Sequence, residues 1–267
     1  MFLKSVGFRQ DVPADRRGYP FSLAWLAGLD RIEFRRPVTI LTGENGTGKS
    51  TLLEALAAAV GSVTVGAESV ETDPSLEPAR RLARTMRLSW NVRTRKGFFL
   101  RSEDFLNFAR KIAQIRADMQ RSLAEAEEEY RDRSAFARSQ AAEPYRKSIA
   151  ELERYYGEDL DARSHGESFL RLFQSRFVPG GLYLLDEPET PLSPTKQLAF
   201  LSMLKEMTEQ GSQFVIATHS PILMAFPDAD LLSFDHAPIR RVTYDELEHV
   251  QLMRAFLENP GRFLRHL

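Results

Sequence analysis

Residues 43–51 read Gly43-Glu44-Asn45-Gly46-Thr47-Gly48-Lys49-Ser50-Thr51, and this stretch decides the fold. It contains the pattern G-x-x-x-x-G-K-[ST], which forms a loop between a strand and a helix. An apolar run predicts a strand over Val38–Leu41 directly before the stretch, and the residues after it predict a helix over Lys49–Val60. The stretch therefore has the setting that a phosphate-binding loop requires.

The residue types of this loop suit a nucleoside triphosphate. Glycines let the backbone curl so that several N–H groups point at the phosphates, and the helix that follows adds the positive end of its dipole. The Lys49 ammonium is expected to reach the β and γ phosphates, and the Ser50 hydroxyl is expected to ligate Mg²⁺. All nine residues from Gly43 to Thr51 are predicted to line the nucleotide site.

A second motif ends another apolar run, Leu182–Leu185, with two adjacent acids. Successive side chains of a strand point to opposite faces, so Asp186 and Glu187 can do different work. Asp186 is predicted to hold the metal ion, directly or through water, and Glu187 to polarise the attacking water. The alternative is a strand that merely ends in solvated acids.

The third candidate is His219, which follows the apolar run Phe214–Ala217. An imidazole at this place can donate to the γ phosphate or position the water, which would make it catalytic together with Glu187 and Lys49. A structural histidine is the alternative. The following Ser220-Pro221 pair also has a local role, because serine caps a helix and proline suits its first turn.

A fourth motif reads Ser164-His165-Gly166-Glu167-Ser168. Serine followed three residues later by glutamate is a capping box, which starts many helices. A capped helix start is also an anion site, so Ser164 and Gly166 are predicted to contact the γ phosphate of a nucleotide held elsewhere.

The pattern along the chain predicts an α/β fold with a mostly parallel core sheet and an antiparallel β part near the N-terminus. Further strands are expected near Leu3–Phe8 and Arg31–Phe34, and loop over Ser62–Pro78. Strands that alternate with helices place ligands at the carboxyl ends of the strands. The 267 residues fit a single domain.

A charged helical lobe is expected to be inserted into this core at about residues 103–175. Apolar residues recur there at spacings of three and four, as in an amphipathic helix: Phe105, Phe108, Ile112, Ile115 and Met119. Glu143-Pro144 is expected to break the helix, and Ile149, Leu152 and Tyr156 to carry a second short one. The lobe is either a solvated packing element or an arm that docks a partner.

Composition limits the function classes. Lys and Arg total 36 against 37 for Asp and Glu, so no global charge favours nucleic acid or an anionic membrane. The absence of cysteine excludes disulfides, no apolar run is long enough to cross a bilayer, and the first residues lack a signal peptide. A cytoplasmic location is the default expectation.

One local segment favours a partner. Residues 80–101 carry eight basic side chains and no acid, interleaved with Trp90, Phe98 and Phe99. Such a segment can neutralise phosphates and stack bases of a nucleic acid. The alternative is a β arm whose arginines pair with the acidic helices that follow.

Taken together, the four motifs resemble the ABC ATPase superfamily, in family order. Gly43–Thr51 is similar to Walker A, residues 164–168 to a variant signature, residues 182–188 to Walker B and residues 217–220 to the histidine loop. Among the branches, the motifs look most like the soluble AAA-type ATPases grouped with SMC, recombination-repair and overcoming-lysogenization-defect proteins. The resemblance implies Mg²⁺-dependent ATP hydrolysis by a head-to-tail homodimer, in which each ATP meets Walker A of one subunit and the signature of the other.

The chain also departs from the family pattern. The usual glutamine of the Q-loop is not evident, with Ser102 or Glu103 near its place, and Ser193 stands where the family has an aspartate. Two functions therefore remain open. The first is an ATPase that drives a DNA- or protein-directed process. The second is a regulatory ATP-binding module that hydrolyses little ATP and controls a separately encoded effector protein.

Overall fold

A computed structural model describes residues 1–9, 18–65, 70–156 and 165–265 of the chain. The strands of the described residues are β1 Leu3–Phe8, β2 Arg31–Glu33, β3 Val38–Thr42, β4 Met86–Trp90, β5 Phe99–Leu100, β6 Leu182–Asp186, β7 Gln213–Ala217, β8 Asp230–Ser233 and β9 Arg240–Val242. The helices of the described residues are α1 Lys49–Val60, α2 Glu77–Ala83, α3 Ser102–Glu129, α4 Ala135–Tyr156, α5 His165–Arg176, α6 Pro194–Glu209, α7 Pro221–Met224, α8 Glu248–Glu258 and α9 Pro260–Leu264.

The centre of the fold is a six-stranded sheet in the order β5-β6-β7-β3-β8-β9. Its first five strands run parallel, and β9 pairs antiparallel with β8. All residues of β3, β6 and β7 are buried, as expected for parallel strands covered on both faces. The carboxyl ends of these strands meet along one edge, where Asp186 lies opposite Ala217 in the register.

A smaller antiparallel sheet, in the order β2-β1-β4, stands beside the central one. Its apolar side chains join those of α1, α2 and one face of the central sheet in a single core cluster, which includes Leu3, Leu52 and Leu82. The other face packs on α5 and α6 through a cluster of aromatic rings, among them Phe173 and Phe200 with ring centroids 4.8 Å apart. The central sheet is therefore held between two apolar layers.

The predicted fold class is confirmed by this architecture. The predicted bounds of β1 and α1 agree with the structure, while β2 ends at Glu33 and β6 extends to Asp186. Within Ser62–Pro78, expected to be loop, residues 66–69 lie outside the described part, and α2 begins at Glu77.

The helices between β5 and β6 differ from the prediction. Pro144 lies inside a continuous α4, so the predicted break at Glu143-Pro144 is wrong, and Ile149, Leu152 and Tyr156 belong to the end of this same helix. The chain turns earlier, after Tyr130, where Ser134 caps the new helix by accepting a hydrogen bond from the Ala137 N–H at 3.2 Å. The serine cap at the polar turn sets the boundary between α3 and α4. Pro144 has no backbone N–H, and α4 tolerates the loss of that one hydrogen bond.

The two helices α3 and α4 pack against each other. An ion pair between Arg116 and Glu153, 2.8 Å apart, joins them, and Ala142 of α4 is fully buried. Among the described residues, no helix is long and apolar enough to span a membrane.

Candidate functional site

The loop before α1 needs glycine for reasons visible in the structure. Gly48 precedes the helix with φ = 93°, and a Cβ there would lie 2.7 Å from Trp25 Nε1 and 2.9 Å from Leu23 Cδ2. Gly43 has φ = 142°, and its Cβ would lie 3.0 Å from the Asp235 carboxylate. Both the backbone conformation and the close neighbours exclude other residues, so the loop curls as the pattern predicts.

Lys49 is buried under this loop at the first turn of α1. Its Nζ donates to the carbonyl oxygens of Gly43 at 2.7 Å and Glu44 at 2.9 Å. Burial lowers the pKa of the ammonium, and the charges of Glu187 and Asp186 oppose that shift. The Lys49 ammonium is thus held inside the loop by two carbonyl oxygens, which the oxygens of a bound anion can replace.

Ser50 and Asp186 meet although 136 positions separate them in the chain. The Ser50 Oγ donates to the Asp186 Oδ1 at 3.1 Å. Burial raises the pKa of Asp186 to about 7, against the lowering effect of the bond from Ser50. A carboxylate with so little access to water gains from a nearby cation, and a hydroxyl and a carboxylate are oxygen donors of the kind that Mg²⁺ prefers.

Glu187 begins a sharp turn after β6. Its φ is 46°, a conformation that residues other than glycine rarely adopt, and its N–H donates to the Ala217 carbonyl at 2.8 Å. Strain of this kind is often found where a side chain is aimed at a reaction. Here the turn brings the Glu187 carboxylate to the end of β7, beside His219.

His219 faces Glu187 across the ends of β6 and β7. Its Nε2 lies 3.8 Å from the Glu187 Oε1, and it is buried without a hydrogen-bond partner within the described part of the chain. Burial and the charge of Lys49 lower the pKa of His219, so the ring is neutral at neutral pH. An unpaired buried nitrogen beside the loop is suited to a ligand atom that the chain itself does not supply.

The serine after this histidine has the predicted local role. The Ser220 Oγ accepts from the N–H groups of Ile222 at 3.1 Å and Leu223 at 3.2 Å, and Pro221 occupies the first turn of α7. The capping prediction for Ser220 and Pro221 is confirmed.

Glu189 is a site residue that the sequence reasoning missed. Its Oε1 accepts from the backbone N–H of His219 at 2.8 Å and of Ser220 at 3.1 Å, and the Thr218 hydroxyl also bonds to the carboxylate. Burial raises the pKa of Glu189. The side chain ties the turn after β6 to the turn after β7, and the acid three positions after Asp186 was the available signal.

Asp235 is a second residue that was missed. It follows β8, and its Oδ1 accepts from the Glu44 N–H at 2.7 Å, which anchors the loop before α1 from the opposite side. The signal in the sequence was an acid after a buried strand, the same pattern that identified Asp186. At the far side of the loop, the Thr51 hydroxyl lies 2.8 Å from the Tyr19 hydroxyl.

The structure therefore brings five predicted residues to one edge of the sheet, namely Lys49, Ser50, Asp186, Glu187 and His219. The predicted roles of these residues are not tested by their proximity. Among the described residues, no group of three or more His, Asp or Glu side chains forms a metal cluster. A metal at Ser50 and Asp186 would take its remaining ligands from water and from a bound phosphate.

The serine–glycine motif at the start of α5 is described only in part. Ser164 lies outside the described residues, so its capping role stays a prediction. Gly166 is buried, and a Cβ there would lie 2.8 Å from the Pro191 carbonyl oxygen and from Lys196 Cδ. This glycine lets α5 approach the segment after the β6 turn.

Two aromatic residues of the basic segment over residues 80–101 lie in the core of the fold. Phe98 and Phe99 are buried in the two cores, so they are not available to stack bases. Arg80 pairs with Glu77 at 2.9 Å, and Arg101 pairs with Glu54 at 3.3 Å. The acidic partners Glu77 and Glu54 precede the segment in the chain, and pairing of its other arginines with the helices that follow stays a prediction.

Two departures from the family pattern stay as predictions. The side chains of Ser102 and Glu103, the candidates for the Q-loop position, lie outside the described part, although α3 begins at Ser102. Ser193 lies at the start of α6, and its side chain makes no capping bond.

Two family models match parts of this chain. A family model described as "AAA domain" matches residues 22–79. A second model, described as "AAA domain, putative AbiEii toxin, Type IV TA system", matches residues 78–225, which is more than half of the chain. No curated protein matches the chain.

Solved structures with a similar fold include an SMC head domain from Thermotoga maritima, with 18% identity and a TM-score of 0.40 over 91% of this chain and 99% of that one. A metal-chelate type ABC transporter in an inward-facing conformation matches with 17% identity and a TM-score of 0.43 over 96% and 88%. A dimeric ATP-binding cassette in a post-hydrolysis state with ADP and Pi matches with 15% identity and a TM-score of 0.38 over 81% and 90%.

Proposed function

This chain belongs to the AAA-domain family described as "AAA domain, putative AbiEii toxin, Type IV TA system", and on that premise we propose that it binds ATP and hydrolyses it with Mg²⁺ at the carboxyl edge of its central sheet. The resemblance to ABC-type AAA ATPases that the four motifs indicated is confirmed. The observation that carries the proposal is the convergence of Ser50 with Asp186, at 3.1 Å, and of Glu187 with His219, at 3.8 Å.

Each residue of this edge has a role that its surroundings support. The loop N–H groups and Lys49 bind the β and γ phosphates, and the two carbonyl oxygens that now accept from Nζ are released. Charge-assisted contacts of this kind are the strongest that the loop offers. Lys49 is therefore the main determinant of ATP affinity.

Glu187 is the base that accepts the proton of the attacking water. A base must lie within reach of the proton that it takes, and the turn at φ = 46° directs this carboxylate toward the loop. The neutral His219 donates a hydrogen bond to the γ phosphate as negative charge shifts there, through the nitrogen that lacks a partner.

Ser50 and Asp186 are the residues that would hold Mg²⁺. The buried Asp186 carboxylate, whose pKa is raised to about 7, is suited to a cation. A bound Mg²⁺ ion would supply positive charge against the phosphates.

The hydrolysis proposal is tested by replacing Glu187 with Gln. The amide keeps the shape of the side chain but accepts no proton, so ATP is expected to bind with nearly unchanged affinity while phosphate release becomes very slow. Calorimetry and a phosphate-release assay give the two readouts. Glu128→Gln on α3, an exposed acid paired with Arg131, is the matched control and should keep wild-type turnover.

Two outcomes would change the proposed function. Wild-type turnover in Glu187→Gln would remove Glu187 from the role of base. ATP binding without measurable turnover in the wild type would favour the regulatory module over the ATPase.

The dimer is a further part of the proposal. Ser164 and Gly166 belong to the motif that the resemblance assigns to the partner's nucleotide. The atoms nearest to a Cβ at Gly166 would be those of Pro191 and Lys196. A head-to-tail pair would bring this motif to the ATP of the second subunit.

Mixing two inactive variants tests the dimer. Lys49→Ala and Ser164→Arg each damage every composite site of a homodimer, but a mixed dimer keeps one intact site. If subunits exchange freely and one site suffices, activity should recover to about a quarter of wild type, because about half of the dimers are mixed. No recovery, together with no ATP-dependent dimer of Glu187→Gln by sizing, would rule the arrangement out.

A further inference from the structure

Strand β4 forms an outer edge of the small antiparallel sheet β2-β1-β4. At one end of its pairing with β1 the Arg9 N–H donates to the Thr85 carbonyl at 2.9 Å, and at the other end the Asn91 N–H donates to the Phe2 carbonyl at 2.8 Å. Residues of an antiparallel strand bond alternately to one side and to the other. The residues whose backbone groups point away from β1 are therefore Met86, Leu88 and Trp90. No strand of the described residues pairs with this outer edge.

The two faces of the edge differ in chemistry. Leu88 lies opposite the fully buried Val6, so its half-buried side chain belongs to the face that packs on the core. The residue before it, Arg87, lies opposite Gly7 on the outer face, where its side chain is exposed. Side chains of a strand alternate between the two faces. A strand added to this edge would therefore meet an apolar rim on one face and a basic side chain on the other.

Exposed arginines lie within β4 and beyond both of its ends. Arg84, with 72% of its side chain exposed, precedes the strand, and the exposed Arg93 and Arg95 follow it. Arg87, Arg93 and Arg95 form no ion pair with another described residue. The chain has no acid from residue 78 to residue 102. Opposite charges directly across a strand pair stabilise it and like charges destabilise it, so the edge suits a strand that carries acids.

The free backbone groups favour a polypeptide over a nucleic acid. Outward N–H and C=O groups in alternation match the groups of a second strand, which can donate and accept in return. Phosphate oxygens accept hydrogen bonds but donate none, so a nucleic acid backbone would leave the C=O groups without partners. The rings of Phe98 and Phe99, which could stack bases, are buried.

We propose that β4 binds an extended acidic segment of a partner protein, which adds to the small sheet as a fourth, antiparallel strand. The segment alternates apolar residues, placed beside Leu88 and Trp90, with acids placed beside Arg87. Residues directly opposite in an antiparallel pair share one face, and those opposite Leu88 exchange both hydrogen bonds with it. The apolar residues of the segment therefore point their N–H groups at β4, and the acidic residues point theirs away. The proposal is independent of the proposed ATP site, because β4 belongs to the other sheet.

The test uses fluorescein-labelled peptides long enough to span β4. One alternates Val and Glu, a second has N-methyl groups on every Val, and a third has them on every Glu. Fluorescence anisotropy measures the affinity of the full chain for each peptide. Methylation of Val removes the N–H groups that face β4, so affinity should fall about tenfold or more, whereas methylation of Glu should leave it nearly unchanged.

Arg87→Glu tests the charge on the outer face. The variant places an acid beside the acids of the peptide, so its affinity for the unmethylated peptide should fall about fivefold. The side chain is exposed, so the fold of the sheet is expected to persist. Arg138→Glu, which reverses the charge of an exposed arginine on α4, is the matched control and should bind each peptide as the wild type does.

Three outcomes would overturn the proposal. Equal affinities of the wild type for all the peptides would show that charge alone attracts them. No binding of the unmethylated peptide would show that the arginines only protect the edge from other strands. Binding of a single-stranded oligothymidylate that is lost in Arg87→Glu, with no difference between the two methylated peptides, would make this surface a nucleic acid site.

Discussion

Different features of the sequence determine the structure of the carboxyl edge of the central sheet and that of the helix pair α3–α4. At the edge, each functional residue follows a buried strand, and the parallel register brings strand ends together from positions as distant as Ser50 and Asp186. In the helix pair, the boundary depends on a serine cap after Tyr130 and not on the proline inside α4.

This difference shows which kinds of sequence signal are reliable. A glycine that needs positive φ, as Gly48 does, leaves the chain one conformation, whereas a proline in a long helix costs only part of its stability. Single substitutions at the edge should therefore change ATP binding and turnover, whereas substitutions in the helix pair should change the stability of the fold. Substitutions in the two regions test this distinction.

Lys49→Ala should have the largest effect. The buried ammonium is the cation of the loop, and hydrogen bonds to charged groups contribute about 1.5–3 kcal/mol each, so ATP affinity should fall about 100-fold. Calorimetry measures this loss. Lys205→Ala on α6, which removes an exposed lysine, should leave the affinity at the wild-type value, and unchanged binding by Lys49→Ala would contradict the loop assignment.

Glu189→Ala should have an intermediate effect. It removes the acceptor that holds the N–H groups of His219 and Ser220, so kcat should fall about tenfold while KM for ATP changes little. Glu189→Gln keeps an acceptor oxygen and should retain most of the turnover. Equal losses in the two variants, or a rise of KM without a change of kcat, would show that Glu189 does not act by positioning His219.

Pro144→Ala should have the smallest effect on ATP affinity and turnover, which stay at the wild-type values, while it raises the free energy of unfolding. The variant restores a backbone donor within α4, and alanine is favoured over proline in a helix interior by up to about 3 kcal/mol. Each kcal/mol raises Tm by about 2–4 °C in a chain of this size. Lys147→Ala is the exposed control on the same helix, and a change of ATP affinity in Pro144→Ala would show that the two regions are coupled.

The sequence predicted the parts of the site that a local pattern specifies. The loop at Gly43–Thr51 and the acids after β6 were identified from glycine spacing and from apolar runs that end in polar residues. Glu189 and Asp235 were missed as site residues because their importance comes from contacts between different strand ends, with His219 and Glu44, which no spacing in the chain encodes.

The aromatic residues of the basic segment were misjudged for a related reason. Phe99 belongs to the short strand β5, which pairs with β6 at the edge of the central sheet, and Phe98 directly precedes this strand. Tertiary packing therefore buries two rings that the local sequence did not identify as buried. A cavity also lies between the loop before α1 and the helices α8 and α9. No local pattern predicts it, because its walls come from residues more than 200 positions apart, such as Leu23 and Phe256.

The most direct test of the central claim is a crystal structure of Glu187→Gln with ATP and Mg²⁺. The triphosphate is expected inside the loop of residues 43–50, with Lys49 Nζ moved from the Gly43 and Glu44 carbonyl oxygens to the phosphates. The Mg²⁺ ion is expected against Ser50 and Asp186. ATP bound away from this edge, or Lys49 still bonded to its own loop beside a bound nucleotide, would contradict it.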